Sequence, residues 1–133
     1  MQEPPGLEDH QVQKTRTGLD RIVRAFDISL NGLRSAWREK AFRQEVALSV
    51  VLVPLALYLG HSWIKTMMLL LSVGLVLICE IANSALEAVV DRIGPEFHEL
   101  SGRAKDMGSA MVLVAIVLCV LAYGGVIASH LRA

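Results

Sequence analysis

Three long apolar runs follow one another along the chain, separated by short polar stretches. Residues 41–60 are mainly apolar once Arg43, Gln44 and Glu45 are passed, residues 63–90 stay apolar until Glu80, and residues 107–129 carry no charge. A helix crosses a bilayer with about 20 mostly apolar residues. The pattern therefore predicts three transmembrane helices, at about 41–60, 63–91 and 106–129. Ahead of them, Leu19, Ile22, Val23, Phe26, Leu30, Leu33 and Trp37 recur at helical spacing. Asp20, Arg21, Arg24, Asp27, Asn31, Arg34 and Arg38 fill the other face. That spacing predicts an amphipathic helix over about 17–38, basic on one side, lying on a membrane surface rich in anionic lipid. Residues 1–15 begin MQEPPGLEDH, without the apolar core of a cleavable signal, and are expected to be a flexible tail. The expected fold class is all-α integral membrane, with one membrane domain over 16–133.

Composition agrees. The 133 residues are 53% hydrophobic, only 5% aromatic, and carry no net charge. Leu, Val, Ala, Ile and Met supply the apolar content, as suits lipid more than a soluble core. No strand pattern, P-loop, nucleotide-binding glycine turn or zinc spacing appears, and no basic, aromatic surface for nucleic acid. Cys79 and Cys119 both fall inside predicted spans and read as small packing residues. Basic residues are unevenly placed. Lys14, Arg16, Arg21, Arg24, Arg34, Arg38, Lys40 and Arg43 cluster at the start, Lys65 sits near the first turn, Arg92, Arg103 and Lys105 flank the second connection, and only Arg132 follows the last span. Positive charge stays on the cytoplasmic side. The N-terminus and the 92–106 connection are thus expected in the cytoplasm, with the His61–Ser62 turn and the C-terminus on the far side.

One feature does not fit a plain membrane anchor. The second span ends CEIANSALEAVVD, from Cys79 to Asp91. At roughly 100° per residue, Glu87 falls about 20° to one side of Glu80 and Asp91 about 20° to the other, flanked by Asn83 and Ser84. A carboxylate at the bilayer centre costs about 2.5–3.5 kcal/mol on insertion scales, so such residues mark function or helix pairing. With a rise of about 1.5 Å per residue, the row climbs about 16 Å, from the hydrocarbon edge to the cytoplasmic headgroups. Three helices alone wrap these acids poorly, which predicts an oligomer, with Ala104, Gly108, Ala110, Gly124 and Ala128 as close-packing positions.

The row faces a connection that carries Glu96, His98, Glu99, Arg103, Lys105 and Asp106, and Glu39 and Arg43 reach the same edge. Carboxylates with a lysine at an interface suit phosphoryl transfer: Mg²⁺ takes one or two carboxylates plus phosphate and water, and cations neutralise phosphate. A transporter would also place acids on a span. Its path would have to continue to the far side, yet between Met67 and Cys79 only Ser72 is polar.

The stretches EIANSALEAVVDRIG and EFHELSGRAKDMGSA, with GLRSAW and AFRQE upstream, closely resemble the bacterial membrane-integral diacylglycerol kinase family. The likeness covers roughly residues 16–130. It implies a homotrimer with sites shared between subunits, each subunit having three spans and a surface helix. It implies transfer of the ATP γ-phosphate to diacylglycerol, giving phosphatidic acid. By the same resemblance Glu80 is the catalytic base, Asn83 orients groups in the site, and Glu39 and Glu87 hold Mg²⁺ with the ATP phosphates. Lys105 and Asp106 lie at the phosphates, and Arg21, Glu96, Phe97 and His98 help bind nucleotide. The lipid docks near Ser29, Arg34, Phe42, Arg43, Gln44 and Glu80. Two departures from the pattern stand out. REKA, after Trp37, is one residue shorter than in close members, although Glu39 keeps its three-residue spacing to Phe42. Ile28 replaces an aromatic that some members place near the nucleotide. The alternatives are an undecaprenol kinase of the same family or a small proton- or cation-coupled transporter subunit.

Overall fold

A computed structural model describes residues 18–94, 96 and 98–132. The tail and Phe97 lie outside the described residues. Four helices follow in order: α1 Gly18–Ala36, α2 Lys40–Leu59, α3 Trp63–Ile93 and α4 Glu99–Leu131. Contacts divide the chain into two units, one through Ser35 and one from Ala36 onward. In the first, α1 keeps the amphipathic spacing read from the sequence, and its apolar residues Leu19, Ile22, Val23, Phe26 and Leu33 are exposed.

In the second unit, α2, α3 and α4 are each long and apolar enough to cross a membrane. The chain is all-helical among its described residues, as its sequence pattern predicts. Helix length has a direct consequence for depth. The 20 residues of α2 rise about 30 Å, the thickness of the hydrocarbon core. The 31 residues of α3 and 33 of α4 rise about 46 and 50 Å, so both outrun it. Counted from Trp63, Glu80 lies about 26 Å along α3, and Glu87 and Asp91 lie about 36 and 42 Å along it, against a hydrocarbon core of about 30 Å.

Helix boundaries follow local chemistry. Ser62 caps α3 by accepting from the Lys65 amide. Gly94 ends the same helix at φ 152°, a conformation open to glycine. The imidazole of His98 accepts from the Leu100 amide and starts α4. As a result α4 begins at Glu99, seven residues before the expected span, and the connection shrinks to the few residues from Gly94 to His98. The entry to α2 is fixed by Arg43, whose Nη1 donates to the carbonyls of Trp37 at 3.1 Å and Arg38 at 2.8 Å. Trp37 meets the buried Phe42 ring edge-on, with centroids 6.4 Å apart.

The core joins Ala56 and Leu59 of α2, Leu69, Val73, Val76 and Cys79 of α3, and Val112, Ala115, Cys119 and Tyr123 of α4. Both cysteines are free and buried, serving as packing residues. The Tyr123 hydroxyl donates to the Leu52 carbonyl at 2.8 Å, a polar tie between α4 and α2 within the apolar zone. The Ser72 hydroxyl turns back on the Leu69 carbonyl at 2.7 Å. It also lies 3.5 Å from Cys119 Sγ of α4, and between Met67 and Cys79 no other polar side chain extends the acid row toward the far side. Only 17–22% of each span's most apolar window is buried within the chain, which leaves the remaining surface to lipid or to further copies.

Candidate active site

The acid row forms on α3 as helical spacing requires. Glu80 and Asn83 are buried, at 5% and 8% exposure, Glu87 is partly buried, and Asp91 is exposed. Ile78, Ala82, Ala85 and Val89 face outward from the opposite side. Asn83 Nδ2 donates to Glu87 Oε1 at 3.1 Å, one helical turn on. This bond fixes the amide orientation: the nitrogen faces the carboxylate, and Oδ1 is left buried without a partner. Oδ1 lies over Gly108 of α4, where a Cβ would collide with it and approach Cγ to 3.3 Å. Gly108 therefore uses its small size against Asn83 of the same chain.

Two further carboxylates join the group. The charge of Glu80 feels those of Glu87 and Glu39, and the charge of Glu45 feels that of Glu80. Glu45 Oε2 is also buried without a hydrogen-bond partner. Among the described residues, no ion pair involves any of these four acids. The Lys105 ammonium, paired with Asp91, also attracts Glu87, and the remaining like charges call for a bound cation or protons to offset them. The carboxylates of the group are hard oxygen donors, the type Mg²⁺ takes, and among the described residues no three His, Cys, Asp or Glu side chains converge closely enough to enclose an ion. That arrangement fits an ion whose shell is completed by phosphate and water, and does not fit a fully protein-made cage.

Beyond the row, the loop end forms a concavity of about 210 Å³ lined by Asp91, Gly94, Glu96, His98, Gly102 and Lys105, among others. Lys105 Nζ bonds Asp91 Oδ1 at 2.6 Å, and both side chains are well exposed. A pair this wet contributes little to stability and can be exchanged for another anion. Asp106 is exposed on the next position. A separate apolar groove of about 440 Å³ runs between α2, α3 and α4 past Leu52, Val73, Cys119 and Tyr123, with Glu45 in its lining.

A family model for prokaryotic diacylglycerol kinase matches residues 27–127. The chain belongs to the prokaryotic diacylglycerol kinase family. Among curated relatives, the diacylglycerol kinase of Escherichia coli strain K12 is 53% identical over 115 residues, covering 86% of this chain and 94% of the relative. That of Haemophilus influenzae is 47% identical over 112 residues, covering 84% and 95%. That of Helicobacter pylori strain 26695 is 37% identical over 119 residues, covering 89% and 93%. Membership of the diacylglycerol kinase family makes the chain an enzyme, a kinase, and with its three span-capable helices a membrane protein.

The residues expected to serve this kinase family's chemistry fall into four places. Glu80, Asn83 and Glu87 share one face of α3, with Glu39 within electrostatic reach. Glu96, His98 and Lys105 line one concavity, and Asp106 stands beside it. Phe42, Arg43 and Gln44 lie in the first turn of α2, where Phe42 is buried and Arg43 holds the chain entry. Arg21, Ser29 and Arg34 lie on α1. There the Ser29 hydroxyl donates to the Ala25 carbonyl at 2.9 Å, and Arg34 Nη1 donates to Asn31 Oδ1 at 3.1 Å. Glu45 is the addition that the sequence reading left out. Its signal was available, since it is the last charge before a fully apolar stretch of α2.

Proposed function

We propose that the protein is an ATP- and Mg²⁺-dependent lipid kinase that phosphorylates diacylglycerol to phosphatidic acid at the cytoplasmic interface. The observation that carries the reading is the row Glu80–Asn83–Glu87, placed where α3 leaves the hydrocarbon and linked by the Asn83–Glu87 bond. A lipid hydroxyl lying at headgroup depth meets Glu80 from within the membrane edge. Glu80 accepts its proton as the hydroxyl oxygen attacks the γ-phosphorus of ATP, and ADP leaves.

Glu87 and Glu39 would hold Mg²⁺, which when bound neutralises phosphate charge. Asn83 holds Glu87 in orientation. Lys105 gives up Asp91 for a phosphate oxygen, and the concavity around Glu96 and His98 receives the nucleotide. Arg21 adds charge for the nucleotide, and Ser29, Arg34, Phe42, Arg43 and Gln44 guide the lipid. The site gathers its ligands sparsely within one chain, and most span surface lies open. Both features support a homotrimer in which neighbouring subunits complete each site. The distribution of Lys and Arg supports an inner-membrane topology with the N-terminus and the α3–α4 loop in the cytoplasm.

The test is reconstitution with Mg-ATP and either diacylglycerol or undecaprenol as acceptor. Phosphate transfer to diacylglycerol with little to undecaprenol supports the reading. Preference for undecaprenol replaces the acceptor while keeping the kinase, and transfer to neither overturns the assignment.

A further inference from the structure

The end of the bundle opposite the acid row brings together two histidines that the kinase chemistry does not use. His61 sits in the α2–α3 turn and His130 in the last turn of α4, and both are exposed. Their ring centroids are 4.8 Å apart, with planes tilted by 34°. His61 Nδ1 lies 2.9 Å from the Leu59 carbonyl. A carbonyl only accepts, so Nδ1 carries the proton and Nε2 keeps its lone pair. Metal-binding histidines show this arrangement, in which one nitrogen is anchored to a backbone carbonyl and the other is free to ligate.

We propose that His61 and His130 form a two-imidazole site for a first-row transition-metal ion of the zinc or nickel class. Metal–nitrogen bonds of about 2.0–2.1 Å around a tetrahedral ion put two ligand nitrogens about 3.3 Å apart. Rings at the observed spacing reach that by turning about their side-chain torsions. Water supplies the remaining ligands at this exposed position. Imidazole suits zinc, nickel and copper and does not suit Mg²⁺, so the site is chemically separate from the carboxylate row. It is also remote, since the 17 residues from Trp63 to Glu80 rise about 26 Å. Nearby, Lys65 Nζ reaches Ser129 Oγ at 3.5 Å. Its positive charge weakens the hold on a dication, so the ion is exchangeable. When bound, it clasps the end of α4 to the α2–α3 turn.

The test uses the full chain in detergent, without nucleotide, titrated with Ni²⁺ by calorimetry and followed by thermal unfolding. The chain also carries His10 and His98, so His98→Gln and His10→Gln serve as controls. The expected result is one saturable Ni²⁺ site per chain and a rise in unfolding temperature with metal. Both effects weaken about tenfold or more in His61→Ala and in His130→Ala, and both persist in the two controls. Without added Ni²⁺, the His61→Ala and His130→Ala variants keep wild-type Mg²⁺-dependent kinase activity. Wild-type affinity in either single variant, or no saturable binding by the wild type, overturns the proposal.

Discussion

Gly108→Ala separates positioning from folding at this site. The added methyl collides with Asn83 Oδ1, the mobile end of a side chain and not backbone. Asn83 yields by rotating, and its Nδ2 then leaves Glu87, breaking a 3.1 Å bond. A hydrogen bond to a charged group is worth about 1.5–3 kcal/mol, and overpacking costs about 1–3 kcal/mol. Because a side-chain end gives way instead of backbone, the overpacking is largely relieved and unfolding free energy should fall by about 1.5–3 kcal/mol, the lost bond. Catalysis should suffer more. A reacting group displaced by about 1 Å loses about 10²-fold in rate, so kcat should drop roughly 10- to 100-fold. The assay pairs Mg-ATP-dependent lipid phosphorylation in mixed micelles with thermal unfolding of the same samples. Adding Asn83→Ala should relieve the collision and recover stability without recovering kcat. Gly125→Ala, whose Cβ meets nothing within 4 Å, should stay within about twofold of wild type. A Gly108→Ala enzyme with wild-type kcat would refute the positioning of Glu87 by Asn83. So would a loss of activity fully accounted for by failure to fold.

Three further outcomes are expected. Glu39→Gln should shift the Mg²⁺ titration to higher concentration while ATP-independent stability holds; an unchanged titration would place Glu39 outside the site. Asp91→Asn should leave stability nearly unchanged, since its partner Lys105 is solvated, and should alter the KM for ATP more than kcat. Tyr123→Phe removes the buried donor to the Leu52 carbonyl and should cost about 0.6–1.7 kcal/mol in an unfolding assay, the range for hydrogen bonds between spans. Kinase activity should survive that change.

Much of this architecture is legible in one dimension. Apolar run length yields the three spans, and a helical period alone places Glu80, Asn83, Glu87 and Asp91 on one face of α3. Those are properties of single helices. What one helix cannot reveal is the register of its neighbour. Gly108 reads as a small residue for oligomer packing, yet inter-helix register sets it under Asn83. Lys105 could have paired with several acids, and the length of the Gly94–His98 turn brings it to Asp91. Tyr123 and the His61–His130 pair likewise join residues distant in sequence. The helix that carries the third span extends back to Glu99, where His98 caps it, and hydropathy alone marks only its apolar part.

The most direct measurement compares Glu80→Gln and Glu87→Gln with wild type in γ-phosphate transfer to diacylglycerol across a Mg²⁺ titration, with oligomer size and unfolding recorded alongside. Glutamine keeps the shape and, at 87, an acceptor for Asn83. The predicted result is intact, folded oligomers with transfer abolished in both variants, and with no Mg²⁺ concentration that restores it. Turnover near the wild-type level in either variant would contradict the carboxylate row as the seat of catalysis.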